Sequence, residues 1–246
     1  MIKALASDFD GTLYFMGQKD CFKEADLHAI HSLQQAGNLF GICSGRSLKG
    51  ILDPVGDKLK LDFYILTSGA LILDSDLHIL YEQMISRKIV KELFDRYQDR
   101  VEAIIQANDT VYTFVGHYPH QVIIQSLDDI KGNHIYGVSF GADSIKEAKE
   151  ICDEINQIYG DEVRAFVNIT NIDIVSKYCS KGNAIKKLKE LLKIDYIGGI
   201  GDSYNDIPML KEVDEAFTFV NAPKSVKQVA HHLVTSVEEA TYELLK

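Results

Sequence analysis

Asp8 and Asp10 stand two residues apart in Asp8-Phe9-Asp10-Gly11-Thr12, directly after the apolar run from Ile2 to Ser7. Two carboxylates so placed suit a nucleophile beside a proton donor, with Gly11 to turn the backbone and Thr12 to stabilise the turn. A cation is needed to offset their crowding. Three later segments also put polar residues after apolar runs: Cys43-Ser44-Gly45-Arg46, Ser180-Lys181-Gly182-Asn183 and Gly201-Asp202-Ser203-Tyr204-Asn205-Asp206. Lys181 offers a fixed positive charge to a nucleophile and to phosphoryl oxygens. The Ser44 hydroxyl, the Gly45 amide and the Phe9 amide can donate to the same group, and Asn205 adds a polar contact. Together these residues describe a phosphate cradle.

Each segment alone has a plainer explanation. Asp-x-Asp-Gly is commonly a solvated turn, Ser44-Gly45-Arg46 could cap a helix, and Lys181 and Asp206 could be surface residues at helix starts. Their joint order after strand signals favours chemistry. Cys43 raises the alternative of a cysteinyl-phosphate enzyme, but the position six residues later is Lys49 rather than arginine, so Cys43 reads as a buried strand end. His117-x-x-His120 encloses Tyr118-Pro119, which breaks helical spacing and leaves no third metal ligand in view.

The elements that must position these residues alternate. Short apolar runs at Ile2–Ser7, Leu39–Cys43 and Phe63–Thr67 are separated by amphipathic stretches, the first being Lys23–Gln35. That rhythm is β-α-β-α-β with a parallel sheet. After residue 83 the order changes: a helix at Ser86–Gln98, strands at Val101–Gln106 and Val111–Val115 flanking the hairpin signal Asn108-Asp109, and a strand at His134–Phe140. A helix at Ser144–Tyr159 and strands at Arg164–Ile169 and Ile172–Ser176 follow. The doubly wound rhythm resumes with a helix at Gly182–Leu192, a strand at Tyr196–Gly201, a helix at Asp206–Val213 and a strand at Ala216–Val220. The expected class is α/β, a Rossmann-like doubly wound core (residues 1–82 and 177–246) carrying an inserted α+β cap domain (residues 83–176).

Composition points the same way. With 246 residues the chain can bury a full core, and a formal net charge of −10 disfavours sequence-independent attraction to nucleic acid or to anionic membranes. A small molecule is the expected partner. No apolar stretch approaches the roughly 20 residues of a membrane span, and no basic region with a long apolar segment opens the chain, so a cytoplasmic protein is expected. The four cysteines are dispersed without a Cys-x-x-Cys pair, which argues against a zinc site or a redox pair. No pattern in the chain sets an oligomeric state.

In this order, the four polar segments resemble the signature motifs of the haloacid dehalogenase superfamily of aspartate-nucleophile phosphohydrolases. Thr67-Ser68-Gly69-Ala70-Leu71-Ile72 and Asn221-Ala222-Pro223 with Val226-Lys227 are similar to flanking segments of its Cof-type branch, and the insertion resembles that branch's type IIB cap. The resemblance implies Mg2+ held by the side chains of Asp8 and Asp202 and the backbone carbonyl of Asp10, with Asp206 supporting from behind. Mg2+ takes hard oxygen ligands in an octahedron. It further implies attack by Asp8 on phosphorus and an aspartyl-phosphate intermediate, with Asp10 protonating the leaving alkoxide and then deprotonating water. The substrate class is a small phosphorylated metabolite, with a sugar phosphate favoured and a phosphorylated cofactor as the alternative. Tyr112, His117, Tyr118 and Asn168 are candidates for choosing it from the cap. Two other readings stay open: a phosphomutase or phosphotransferase in which a hydroxyl intercepts the intermediate, and a non-catalytic metabolite-binding regulator.

Overall fold

The computed structural model describes residues 2–116 and 121–246. The chain folds into two compact units, one of Met1–Gly45, Val55–Tyr81 and Ser180–Lys246, the other of Arg46–Pro54 and Glu82–Cys179. Arg46–Pro54, which the sequence alone assigns to the core, groups with the second unit. There the Lys49 backbone N–H donates to the Asp109 carbonyl (2.9 Å) and its ammonium lies 3.5 Å from the Asp109 carboxylate.

The first unit is built on strands β1 (Lys3–Ser7), β2 (Leu39–Cys43), β3 (Phe63–Leu66), β4 (Leu71–Asp74), β5 (Ile79–Glu82), β12 (Tyr196–Gly201), β13 (Glu215–Phe219) and β14 (His232–Val234). Their order in the sheet is β14-β13-β12-β1-β2-β3-β4-β5. Pairing is parallel from β14 through β3, and β4 turns back antiparallel on β3. Almost continuous apolar strands such as Lys3–Ser7 follow from burial on both faces. Two adjacent glycines let neighbouring segments approach closely: a Cβ on Gly198 would meet Leu244 of α8 (Val237–Leu245) at 3.0 Å, and one on Gly199 would meet Val213, in the bend before β13, at 2.8 Å.

Helix α1 (Glu24–Gln35) buries Asp26, Ala29, Ile30 and Leu33, one stripe at helical spacing, and packs on α8. Helix α5 (Lys181–Leu191) starts at Ser180, whose hydroxyl accepts the Asn183 N–H at 3.0 Å. The helix expected at Asp206–Val213 is shorter: a 3-10 turn at Tyr204–Asp206 leads into α6 (Ile207–Leu210), where Pro208 near the start has no N–H to donate. β4 and the strand β8 (Gln121–Ile123) lay beyond the sequence assignments, because strands of three or four residues carry too few alternations to register, and the C-terminal helix α8 lay beyond them too; β14 (His232–Val234) starts where His231-His232 reads as a helix-to-strand junction.

The second unit is a six-stranded sheet ordered β10-β11-β9-β6-β7-β8, from β6 (Glu102–Ala107), β7 (Thr110–Thr113), β8, β9 (Ile135–Gly141), β10 (Val163–Asn168) and β11 (Asn171–Ser176). β6 and β7 form the expected hairpin, with Asn108 at φ +55° in its turn. Helices α3 (Arg87–Tyr97) and α4 (Ile145–Tyr159) begin at serine caps, Ser86 and Ser144. Their apolar stripes, including Leu93, Tyr97, Ile151 and Ile155, share one core with Ile105, Phe140 and Ile174 of the sheet. The architecture is the expected α/β class, a doubly wound sheet with an inserted α+β unit.

Candidate active site

β12, β1 and β2 are neighbours and parallel, so the residues that follow them emerge at one edge of the sheet. Asp8 leaves β1 with its N–H still bonded to the Ile200 carbonyl of β12 (2.9 Å). It is 6% exposed. Lys181, in the first turn of α5, reaches it with Nζ at 2.7 Å from Asp8 Oδ1 and places the same nitrogen 2.6 Å from Asp206 Oδ1. Lys181 is 2% exposed, and Asp206 is fully buried.

Asp206 uses its other oxygen to hold the loop after β12: Oδ2 accepts the backbone N–H groups of Asp202 and Ser203, each at 3.0 Å. Gly201 makes room for this, since a Cβ there would lie 2.4 Å from the Asp206 carboxyl carbon. Asp202 also accepts the Thr12 hydroxyl at 3.3 Å on Oδ1. Thus Thr12 ties the β1 loop to the β12 loop rather than only steadying its own turn, and the Gly198-Gly199-Ile200-Gly201 run was the sequence signal for such close packing.

Among the described residues, Asp8, Asp202 and Asp206 are a group whose carboxylate oxygens lie within 4.8 Å of one another. Burial, then the neighbouring Asp206 charge, pushes the Asp8 carboxyl up to about 7, partly opposed by Lys181. Asp202 is likewise raised, by burial first and Asp206 second. Burial would pull Lys181 down, but the charges of Asp206 and Asp8 overcome it and hold the ammonium above the usual lysine range. One ammonium among three carboxylates leaves excess negative charge in a place with little water. Hard oxygen donors around such a deficit fit a divalent cation of the Mg2+ type. Asp206 has both oxygens committed, so Asp8 and Asp202 are the side chains fitted to hold it.

The other expected residues fall around this centre in different ways. Asp10 is exposed in the turn after β1, where it bridges to Tyr14, and Gly11 follows at φ +78°. The Phe9 ring is buried and stacks on Tyr14 with centroids 5.0 Å apart, so its part in any cradle falls to the main chain. Ser44, 2% exposed, continues the parallel pairing beyond β2 by donating its N–H to the Ile65 carbonyl (2.8 Å), and half-buried Gly45 follows. Asn205 is half-buried beside the Asp202 loop, its Oδ1 accepting the Ser203 hydroxyl at 2.6 Å. Burial pushes the Cys43 thiol up to about 12, which removes the thiolate that a cysteine nucleophile requires.

In the second unit, Tyr112 packs against the apolar core and its hydroxyl accepts the Asn108 amide at 3.2 Å. Asn168 is exposed at the end of β10, with its amide 3.5 Å from Asp173 Oδ2. His117 and Tyr118 lie outside the described residues. No helix among the described residues is long and apolar enough to cross a membrane.

Aspartates gathered about a buried lysine at the carboxyl edge of a doubly wound sheet define a class of α/β enzyme. The family model of the haloacid dehalogenase-like hydrolases matches residues 5–241, and the chain belongs to that family. It is similar along its whole length to the Bacillus subtilis 5-amino-6-(5-phospho-D-ribitylamino)uracil phosphatase YcsE, with 24% identity over 249 residues covering 100% of this chain and 95% of that one. A haloacid dehalogenase-like hydrolase from Bacteroides thetaiotaomicron shares the fold at a TM-score of 0.85 and 17% identity, over 100% of this chain and 99% of that one. A Plasmodium vivax chain described as HAD/COF-like superposes at a TM-score of 0.84 with 22% identity, over 99% and 94% of the two chains. The chain is therefore a haloacid dehalogenase-like hydrolase, and phosphatase is the activity that its curated relatives support.

Proposed function

We propose that this enzyme hydrolyses the phosphate monoester of a small metabolite by way of an aspartyl phosphate on Asp8, with Mg2+ as its metal. The observation that carries the reading is the buried Lys181 ammonium held between Asp8 and Asp206. It fixes one oxygen of Asp8 within the cluster shared with Asp202, and supplies positive charge where phosphoryl oxygens would gather.

In the first half-reaction an Asp8 oxygen forms a bond to phosphorus as the ester P–O bond breaks, and the Asp10 carboxyl gives its proton to the departing alkoxide. In the second, water attacks phosphorus while the Asp10 carboxylate takes a proton from it, and the bond from phosphorus to Asp8 breaks. Free phosphate leaves and both carboxyls return to their starting states. Mg2+, held by Asp8, Asp202 and the Asp10 carbonyl, would neutralise charge on the transferring group. The cluster's raised carboxyl pKa values support this, because a divalent cation there favours the ionised nucleophile. Ser44, Gly45, Asn205 and the Phe9 amide complete the phosphate cradle.

A sugar or polyol phosphate is the favoured substrate. Support comes from the full-length relative whose named substrate carries its phosphate on a ribityl chain. Tyr112, Asn168, His117 and Tyr118 enter this reading as candidates for substrate choice, and the cytoplasm is the compartment in which such esters are expected. The test is phosphate release from a panel of phosphorylated metabolites, with Mg2+ and with chelator, beside Asp8→Asn. Release that requires both Mg2+ and Asp8 is expected. A panel that yields no phosphate, or an acyl phosphate trapped on another residue, sinks the reading. Isomerised product without free phosphate would favour the mutase instead.

A further inference from the structure

Immediately after β3 the chain runs through three successive residues in the left-handed region: Thr67 (φ +45°), Ser68 (φ +53°) and Gly69 (φ +99°). Such φ values are unfavourable for side-chain-bearing residues, and most of all for a β-branched one such as Thr67. Thr67 and Ser68 are nevertheless buried, at 3% and 8% exposure, so the conformation is imposed by what surrounds it. Two segments do the imposing, and both belong to the phosphate cradle.

On one side, the Ser68 N–H donates to the Ser44 carbonyl at 3.0 Å, while the Ser44 N–H donates back to Ile65 just before the turn. The Ser68 hydroxyl oxygen lies 3.5 Å from where a Cβ on Gly45 would stand. On the other side, Gly69 presses on the residue that precedes Lys181. A Cβ on Gly69 would fall 2.5 Å from the Ser180 carbonyl oxygen and 3.0 Å from the Ala184 Cβ. Backbone oxygen cannot swing aside as a side-chain tip can.

We propose that the Thr67-Ser68-Gly69 turn is a positioning wedge that sets the separation between the Ser44-Gly45 donors and the Lys181 end of α5. The proposal rests on the phosphatase reading above and adds a residue set outside the proposed metal ligands and phosphate donors. Its chemistry is indirect: it decides whether the hydroxyl, the amide and the ammonium converge on one phosphoryl group. Glycine at position 69 is required twice over, for the positive φ and for the absent Cβ. Only the second requirement reaches the site.

That distinction gives the experiment its control. Gly37 also has a positive φ (+80°, against +99° at Gly69) with nothing within 4 Å of its missing Cβ, so Gly37→Ala incurs backbone strain without the collision. Gly69→Ala is expected to weaken inorganic phosphate binding in the presence of Mg2+ by at least ~10-fold and to lower kcat/KM comparably. Gly37→Ala should keep both within ~2-fold while losing thermal stability through backbone strain alone. Ser68→Gly is the second variant: it relieves a strained φ, so its thermal midpoint should hold or rise. Yet the loosened wedge should lower kcat several-fold, a pairing that a purely structural role does not produce. Phosphate affinity and kcat in Gly69→Ala equal to those of Gly37→Ala, or Ser68→Gly with kcat unchanged, overturn the wedge. Because phosphate affinity is read without turnover, a wild-type protein that binds phosphate yet hydrolyses nothing would count against the proposed function, and the wedge would still be judged on affinity.

Discussion

Asp206→Asn is the sharpest perturbation of the site, because the amide cannot serve all three donors that the carboxylate serves. With its oxygen kept toward Lys181, the new amide nitrogen faces the backbone N–H groups of Asp202 and Ser203, leaving two buried donors without an acceptor. Each costs about 1–3 kcal/mol. With the amide flipped, the nitrogen faces the Lys181 ammonium and a buried ion pair is broken, at about 3–5 kcal/mol. Relief of one of three crowded carboxylates returns part of either loss, since Asp206 is the second cause of the raised Asp8 carboxyl. A net loss of about 2–4 kcal/mol follows from those ranges, a factor of roughly 30 to 800 in the folding equilibrium at about 1.4 kcal/mol per decade. The same change releases the Asp202 loop, so the Mg2+ concentration for half-maximal activity should rise about 10–100-fold, as when a partner of a metal ligand is lost. Urea unfolding and Mg2+ titration of phosphatase activity read the two effects. A variant with wild-type unfolding free energy and wild-type Mg2+ dependence would show that Asp206 does not hold the loop in the way its hydrogen bonds indicate.

Asp10→Asn should abolish turnover while leaving Mg2+ affinity, measured calorimetrically, within a few-fold of wild type, because the carbonyl survives the substitution and the proton shuttle does not; a parallel loss of Mg2+ affinity would contradict that division. Lys181→Met leaves Asp8 and Asp206 buried without their counter-charge, and should cost about 3–5 kcal/mol in urea unfolding; a loss below about 1 kcal/mol would contradict the burial argument. Asp26 is fully buried, donates nothing, accepts the Glu238 N–H at the start of α8 (2.8 Å) and leaves Oδ2 without a partner. Burial raises its carboxyl, so the folded protein holds that proton more tightly than the unfolded chain, and Asp26 withdraws stability as pH rises from the ordinary carboxylate range through its folded value. Asp26→Asn should therefore gain stability relative to wild type as pH rises out of the ordinary carboxylate range in urea unfolding, and a difference that stays flat or reverses with rising pH would refute the assignment.

How much of this was legible beforehand depends on the range of the interactions. β1, β2, α1, α3, α4 and most of α5 were readable because short apolar runs and helical stripes are local properties of the chain. Asp8 and Asp202 were readable as candidates for chemistry because each follows an apolar run that ends a strand of the parallel sheet, whereas Lys181 comes after β11 of the other sheet and was readable only from its place in the order of polar segments. Asp206 was assigned a supporting place by family resemblance, but its bond to Lys181 and its two backbone partners join residues whose spacing in sequence carries no periodic signal.

The amino-acid sequence by itself determined the alternating α/β order, the insertion and the identities of the groups proposed to act on phosphate. Tertiary structure alone decided that Lys181 spans two carboxylates, that Thr12 reaches across to Asp202, and that a strained turn at 67–69 lies between Ser44 and Ser180. The reason is physical: propensities and caps act within a few residues, whereas charge compensation and close backbone approach depend on which distant strand ends the sheet makes neighbours.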